Sequence, residues 1–173
     1  MFLIQTITVG AGGASTIEFT SIPQTYTDLC IKLSNRQSGT GGSANVWDNY
    51  YMSFNGSSSS KSSRDLHGLD AGVQNNYYSS ELYFWGNIDG STVNTFTNTE
   101  IYIPNYSSTT VNKSYYADSV AEHNGTSNYI MFLHAGLWAS TSAITSIRFN
   151  TTVSGSRTFM QHSSASLYGI KNS

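Results

Sequence analysis

The side chains best suited to chemistry in this chain are four histidines, His67, His123, His134 and His162, a single cysteine, Cys30, and a few acids. A hydrolytic zinc site needs two histidines at short, regular spacing, as in H-x-x-x-H or H-E-x-x-H, and no pair here has it. Glu122-His123 reads as a polar pair at a strand end, ahead of Asn124-Gly125. His134 has the strand parity of Ile130 and Phe132 and reads as a hydrogen-bonded inward or interface histidine. Serine is abundant, yet there is no Gly-x-Ser-x-Gly elbow and no glycine-rich loop followed by Lys-Ser or Lys-Thr. Nothing pairs a base with a nucleophile or spaces two carboxylates for glycoside cleavage. Asp65, Asp70 and Asp89 lie in turn-rich segments and could offer hard oxygen ligands to calcium, but their spacing matches no known loop. Cys30 has no cysteine to pair with and reads as a small filler on either side of a sheet. The expectation is a chain with no catalytic residue, no cofactor and no metal.

Composition agrees with a surface rather than a reaction centre. Only 10% of the 173 residues are charged, 13% are aromatic, and the formal net charge is −2. Neutralising several phosphates takes clustered Lys and Arg, whereas here they are scattered from Lys32 to Lys171, so nucleic acid is not the expected partner. No apolar run approaches the ~18 to 20 residues of a membrane-spanning helix. Met1–Ile4 is followed at once by Gln5-Thr6; it lacks the pattern of a signal peptide and reads as a first strand.

The elements that would position any site are strands. In Tyr26–Ser34, Leu29, Ile31 and Leu33 alternate with Asp28, Cys30 and Lys32, the period of a half-buried strand. Similar runs recur at Phe2–Val9, Thr16–Phe19, Tyr50–Phe54, Glu81–Trp85, Glu100–Ile103, Ser114–Ala121, Tyr129–Trp138, Ile144–Phe149 and Ala165–Ile170. Gly, Asn and Ser punctuate the gaps, as at Gly10–Gly13, Asn55-Gly56, Asn124-Gly125 and Ser154-Gly155. Asn124-Gly125-Thr126 is the clearest hairpin signal. Gln37–Asn45 and Gly56–Ser63 read as long loops. About ten short strands at regular spacing, with no capped helical period, predict one all-β domain over residues 1–173, an antiparallel β-sandwich of jelly-roll-like form.

Consecutive rings in Tyr50-Tyr51, Tyr77-Tyr78, Tyr83-Phe84-Trp85 and Tyr115-Tyr116 must point to opposite faces of an extended chain, so some aromatics face outward. Exposed Tyr among Ser, Asn and Gly is the composition of contact surfaces, and also of faces that stack on sugars. Trp47, Tyr51, Tyr77, Tyr78, Trp85, Tyr106, Tyr115 and Trp138 are the candidate partner contacts.

Several stretches together carry a resemblance. Ile7–Phe19 (ITVGAGGASTIEF), Ile22–Leu29 (IPQTYTDL) and Ala165–Lys171 (ASLYGIK), with Tyr51–Gly56 (YMSFNG), Glu100–Tyr106 (EIYIPNY), Ala135–Trp138 (AGLW) and Ala143–Ile147 (AITSI) between them, resemble virion structural proteins of tailed bacteriophages, common in aquatic phages. The resemblance spans nearly the whole chain and implies no catalytic residues. It implies a structural protein of the virion, made in the host cytoplasm and residing on the capsid surface or the tail. With no heptads and no fibrous repeat, a capsid decoration or cement protein is expected, bound to the major capsid protein as a homo-oligomer, with a trimer favoured by similarity to other such proteins. The alternative is a tail- or fibre-associated adsorption module that binds host surface glycans.

Overall fold

A computed structural model describes residues 1–39, 46–69, 72–125, 127, 130–151 and 157–171. The chain forms twelve strands: β1 (Phe2–Thr8), β2 (Thr16–Phe19), β3 (Asp28–Asn35), β4 (Trp47–Phe54), β5 (Lys61–Leu69), β6 (Gly72–Tyr78), β7 (Leu82–Asn87), β8 (Thr97–Ile103), β9 (Lys113–Ala121), β10 (Ile130–Trp138), β11 (Ile147–Thr151) and β12 (Ser164–Ile170). All pair antiparallel. No helix is present among the described residues.

One sheet has eight strands in the order β1-β12-β3-β8-β9-β10-β5-β6, and the other has four, β2-β11-β4-β7. The quartets β1-β12-β3-β8 and β2-β11-β4-β7 are the two sheets of a jelly roll, in which successive strands alternate between layers except β4 and β7, which pair directly. Two hairpins are inserted into that frame. β5-β6 leaves the β4–β7 connection, β9-β10 leaves the β8–β11 connection, and β10 pairs with β5, so together they extend one sheet by a four-stranded wing. The core lies between the quartets, where Phe19, Ile31, Tyr50, Phe54, Phe84, Ile101, Phe149 and Leu167 are fully buried. A second, smaller cluster of Ala121, Ile130 and Phe132 lies under the wing, against Trp47, Leu69 and Trp85.

The wing turns around the β7 edge. On β7, Leu82 and Phe84 face the core, so Tyr83 and Trp85 project from the opposite face of the four-stranded sheet. Phe84 meets Tyr115 of β9 and His134 of β10 at centroid distances of 5.8 and 4.9 Å, while Trp85 meets Phe132 of β10 at 5.6 Å and Tyr83 meets Tyr78 of β6 at 4.3 Å. The eight-stranded sheet therefore reaches past β7 and covers a strand edge that would otherwise be free to pair with another chain. Its own edges, β1 and β6, have no further strand paired to them among the described residues.

The expected strands fall in or close to strands of the structure, β9 and β10 of the wing included, with Tyr129 lying outside the described residues. β5 and β6 were not anticipated, and the expected loop Gly56–Ser63 ends in paired strand from Lys61. The reason is that β5 buries Lys61, Ser63, Asp65 and His67, an inward face whose one apolar member, Leu69, stands at its end and shows no alternation. Ile144–Phe149 pairs only from Ile147, because the Ile144 amide donates to the Tyr106 carbonyl in a loop contact. Of the expected loop Gln37–Asn45, the described part is tied down: the Gln37 amide donates to the Asn87 carbonyl and the Ser38 amide to that of Thr158. Residues 40–45 lie outside the described residues, as do Asp70, Thr126 and Ser154-Gly155. Between β9 and β10 the chain takes the longer path 122–129 instead of a two-residue turn, with Asn124 at φ 59°. At Asn55-Gly56 both residues have positive φ, as a tight turn there requires.

Candidate functional site

Three places bring functional groups together: a buried polar cluster in the wing, the outer face of the wing, and the outer face of the four-stranded sheet. The buried cluster follows from β5's polar inward face. His67 Nδ1 and Asp65 Oδ1 are 2.6 Å apart, and Asn76 of β6 donates to the same carboxylate at 3.3 Å. His134 lies beside them on β10, with no hydrogen-bond partner for its Nε2 among the described residues. Burial pushes the His134 imidazole down to about 4, against a smaller opposing pull from Asp65, so the ring is neutral near pH 7. An acid beside an imidazole is the front half of a nucleophile-activating relay. Here the His67 ring is walled by Phe132 and Trp85, at 5.3 and 6.3 Å, and the pair is sealed from solvent. The arrangement joins strands β5 and β6.

Of the other candidate ligands, Asp89 accepts from the Gly39 amide at 2.8 Å and Asp65 is committed to His67 and Asn76, so the two do not converge. Among the described residues no three His, Cys, Asp or Glu side chains cluster for a metal. Cys30 is buried between cross-strand neighbours Tyr102 and Tyr168, and burial raises its thiol pKa, the state of an inert packed sulfur. His123 donates through Nε2 to the Ser127 carbonyl at 3.0 Å, a loop contact.

The aromatic candidates divide. Tyr106, Tyr115 and Trp138 are buried and are corrected from contact residues to core residues. The Tyr106 hydroxyl donates to the Pro23 carbonyl, closing the corner after Pro104. Tyr115 has inward parity on β9 and lies over Gly136, and Trp138 packs on Phe54 at 5.8 Å. Trp47 and Trp85 are half-buried against each other at 4.1 Å and close the seam between wing and sandwich. Tyr51 and Tyr78 are partly exposed, and Tyr77 is exposed with the Arg64 guanidinium 4.5 Å above its ring.

The outer face of the wing contains contact residues that the aromatic pattern alone missed. Met131, Leu133, Ala135 and Leu137 run down the middle of it on β10. Val120 flanks Met131, Leu66 flanks Leu133 and Tyr116 flanks Ala135, each as a direct cross-strand partner. Val73 continues the first row across Gly68, and Tyr77 the third across Arg64. Apart from Ala135, these apolar and aromatic side chains are between 38% and 76% exposed, and Asp118 and Arg64 stand among them as the other cross-strand partners of Leu133 and Ala135. Scaled by those exposures, side chains of about 150 to 200 Å² each present on the order of 800 Å². The largest patch on a typical monomer is ~300 to 600 Å², and a standard protein–protein interface buries ~800 Å² per partner. Beside it, a shallow groove of about 420 Å³ lined by Lys32, Asn98, Glu100, Asp118 and Ser166 supplies a polar rim. The signal was present in Ile130–Trp138, which is apolar at both parities over its first half, the mark of a strand covered on both faces.

On the other side, the outer face of the four-stranded sheet forms the floor of a trough of about 800 Å³. Its lining is polar and aromatic, with Tyr51, Tyr83, Arg148 and Asn150 on the strands and Lys61 and Glu81 along one wall. No family model matches the chain, and no curated protein or solved structure matches it either.

Proposed function

We propose that this chain is a non-enzymatic structural protein of a tailed-bacteriophage virion, a decoration protein that attaches to the outer capsid surface and stabilises the head. The observation that carries this reading is the apolar outer face of the wing, large enough for a stable interface and mounted on paired strands that need no ordering on docking. The resemblance of the segments from Ile7 to Lys171 supports the virion assignment. Burying Met131, Leu133 and Leu66 against the major capsid protein supplies adhesion, and the low charge of the chain makes that adhesion weakly dependent on salt. Attachment as a homotrimer would let several modest contacts act together across neighbouring capsomers.

The test is reconstitution. Heads of the encoding phage that lack this protein should lose heat or osmotic stability and regain it when the purified chain is added, whereas Leu133→Lys and Met131→Lys chains should fail to bind. Full binding by both charge variants would remove the wing from the interface. Heads of unchanged stability combined with impaired host attachment would favour the tail-associated adsorption module instead.

A further inference from the structure

We propose that the trough on the outer face of the four-stranded sheet is a binding site for a neutral oligosaccharide, a function separate from capsid attachment and on a different face. Strand register builds its floor. Across one row, Thr16, Asn150, Tyr51 and Tyr83 are successive cross-strand neighbours on β2, β11, β4 and β7, and in the next row Glu18, Arg148 and Ser53 follow in the same way. Tyr51 and Tyr83 have ring centroids 4.6 Å apart, and Tyr83 is 4.3 Å from Tyr78, so three rings form one ledge along the wing side.

Three features select the ligand class. First, every cation in the trough already has a carboxylate: Arg148 donates to Glu18 at 2.8 Å, Lys61 to Glu81 at 3.1 Å, and Arg157 pairs with Asp48. A polyanion would have to displace those acids, whereas a neutral polyol can donate to the carboxylates and accept from the guanidinium and ammonium groups without breaking the pairs. Second, the only aliphatic side chain in the described lining is Met52, which is fully buried, so acyl chains and apolar peptide side chains find nothing to dock on. A pyranose needs a ring face for its C–H side and fixed polar groups for its hydroxyls. The tyrosine ledge offers the first; Asn150, Thr16, Ser53 and the ion pairs offer the second. Third, the Arg148 and Glu18 side chains keep 42% and 28% of their surface exposed while paired, so both still present polar atoms to the trough. The volume fits several sugar units rather than one, and lies within the ~300 to 1,000 Å³ range of ligand sites. Burial and the adjacent Tyr83 hydroxyl raise the Tyr51 phenol above its ordinary value, so it remains a donor at any working pH.

The experiment is a printed array of neutral hexose and N-acetylhexosamine oligosaccharides, with sulfated and uronic-acid glycans alongside, followed by calorimetric titration of the best-retained neutral oligosaccharide. The native chain should bind it saturably. Tyr51→Ala and Asn150→Ala should each weaken binding by about tenfold or more, and Tyr51→Phe should retain more affinity than Tyr51→Ala because the stacking ring remains. Unchanged melting temperatures establish that these variants are folded. Leu133→Lys, on the wing, should bind sugar like the native chain. Retention of acidic glycans alone, no saturable binding of any neutral glycan, or equal loss in Leu133→Lys would overturn the proposal. None of these outcomes bears on head stability, which tests the capsid reading separately.

Discussion

His134 should make this protein acid-sensitive in a way that one substitution removes. Its ring is 4% exposed and lies 4.9 Å from Phe84 and 5.1 Å from Phe132, with Asp65 and His67 of β5 as the charged and titratable groups facing it. Burial lowers its pKa from 6.5 to about 4, with Asp65 opposing and His67 adding to the shift. In the unfolded chain the imidazole takes up a proton near pH 6.5, whereas the folded protein resists protonation until about pH 4. The unfolded state binds more protons throughout that window, so stability is fully present above pH 6.5 and falls as the pH drops toward 4. A shift of this size corresponds to ~3 kcal/mol across the window. Urea unfolding at pH 7, 6, 5 and 4.5 measures it, and comparison with His134→Phe cancels the contribution of titrating groups that do not interact with His134. The variant also removes a buried nitrogen that lacks a partner, so it should be at least as stable as the native chain at pH 7. The native-minus-variant difference should then shift against the native chain by ~2 to 3 kcal/mol at pH 4.5. Parallel curves for the two proteins would refute the assignment of a neutral, buried imidazole.

Three further substitutions probe close packing and a buried anchor. Gly136→Ala places a methyl 2.0 Å from Cε1 of Tyr115, a ring that is itself buried and cannot swing aside, and should cost ~1 to 3 kcal/mol in unfolding free energy. Gly169→Ala meets the ring of Tyr26 at 2.3 Å, but that ring is partly exposed and can move, so the drop in melting temperature should be smaller. Arg36 donates to the carbonyls of Ser91, Thr92 and Thr95 at 2.9 to 3.0 Å from a buried position. Arg36→Met should cost roughly 2 to 4 kcal/mol and expose residues 89–96 to limited proteolysis; an unchanged cleavage pattern would show that the segment holds itself.

The frame of the jelly roll was legible because its strands obey a two-residue rhythm with apolar side chains on one face. Leu29, Ile31 and Leu33 on β3, and Tyr50, Met52 and Phe54 on β4, all reach the core as that rhythm requires. Tyr115-Tyr116 likewise splits with one ring in and one out, but which ring faces solvent depends on the register of β9 against β10, which local sequence does not reveal. The wing was harder to read. β5 hides charged and polar groups, and several of them are satisfied by partners distant in sequence, such as Lys61 with Glu81 and Ser63 with the Glu81 carbonyl. The trough was illegible for a related reason: Tyr51, Tyr83, Asn150 and Arg148 come from three strands, and only pairing makes them neighbours.

The open edges of the long sheet bear on behaviour at high concentration. Neither Phe2–Thr8 nor Gly72–Tyr78 contains a charged residue or a proline, the usual guards against strand addition. Because they lie at opposite ends of the same sheet, docking one copy's β6 on another's β1 would not close on itself but would propagate as a ribbon. A single lysine introduced at an exposed position of β6, such as Gln74, is therefore the simplest change for keeping concentrated stocks from forming fibrils.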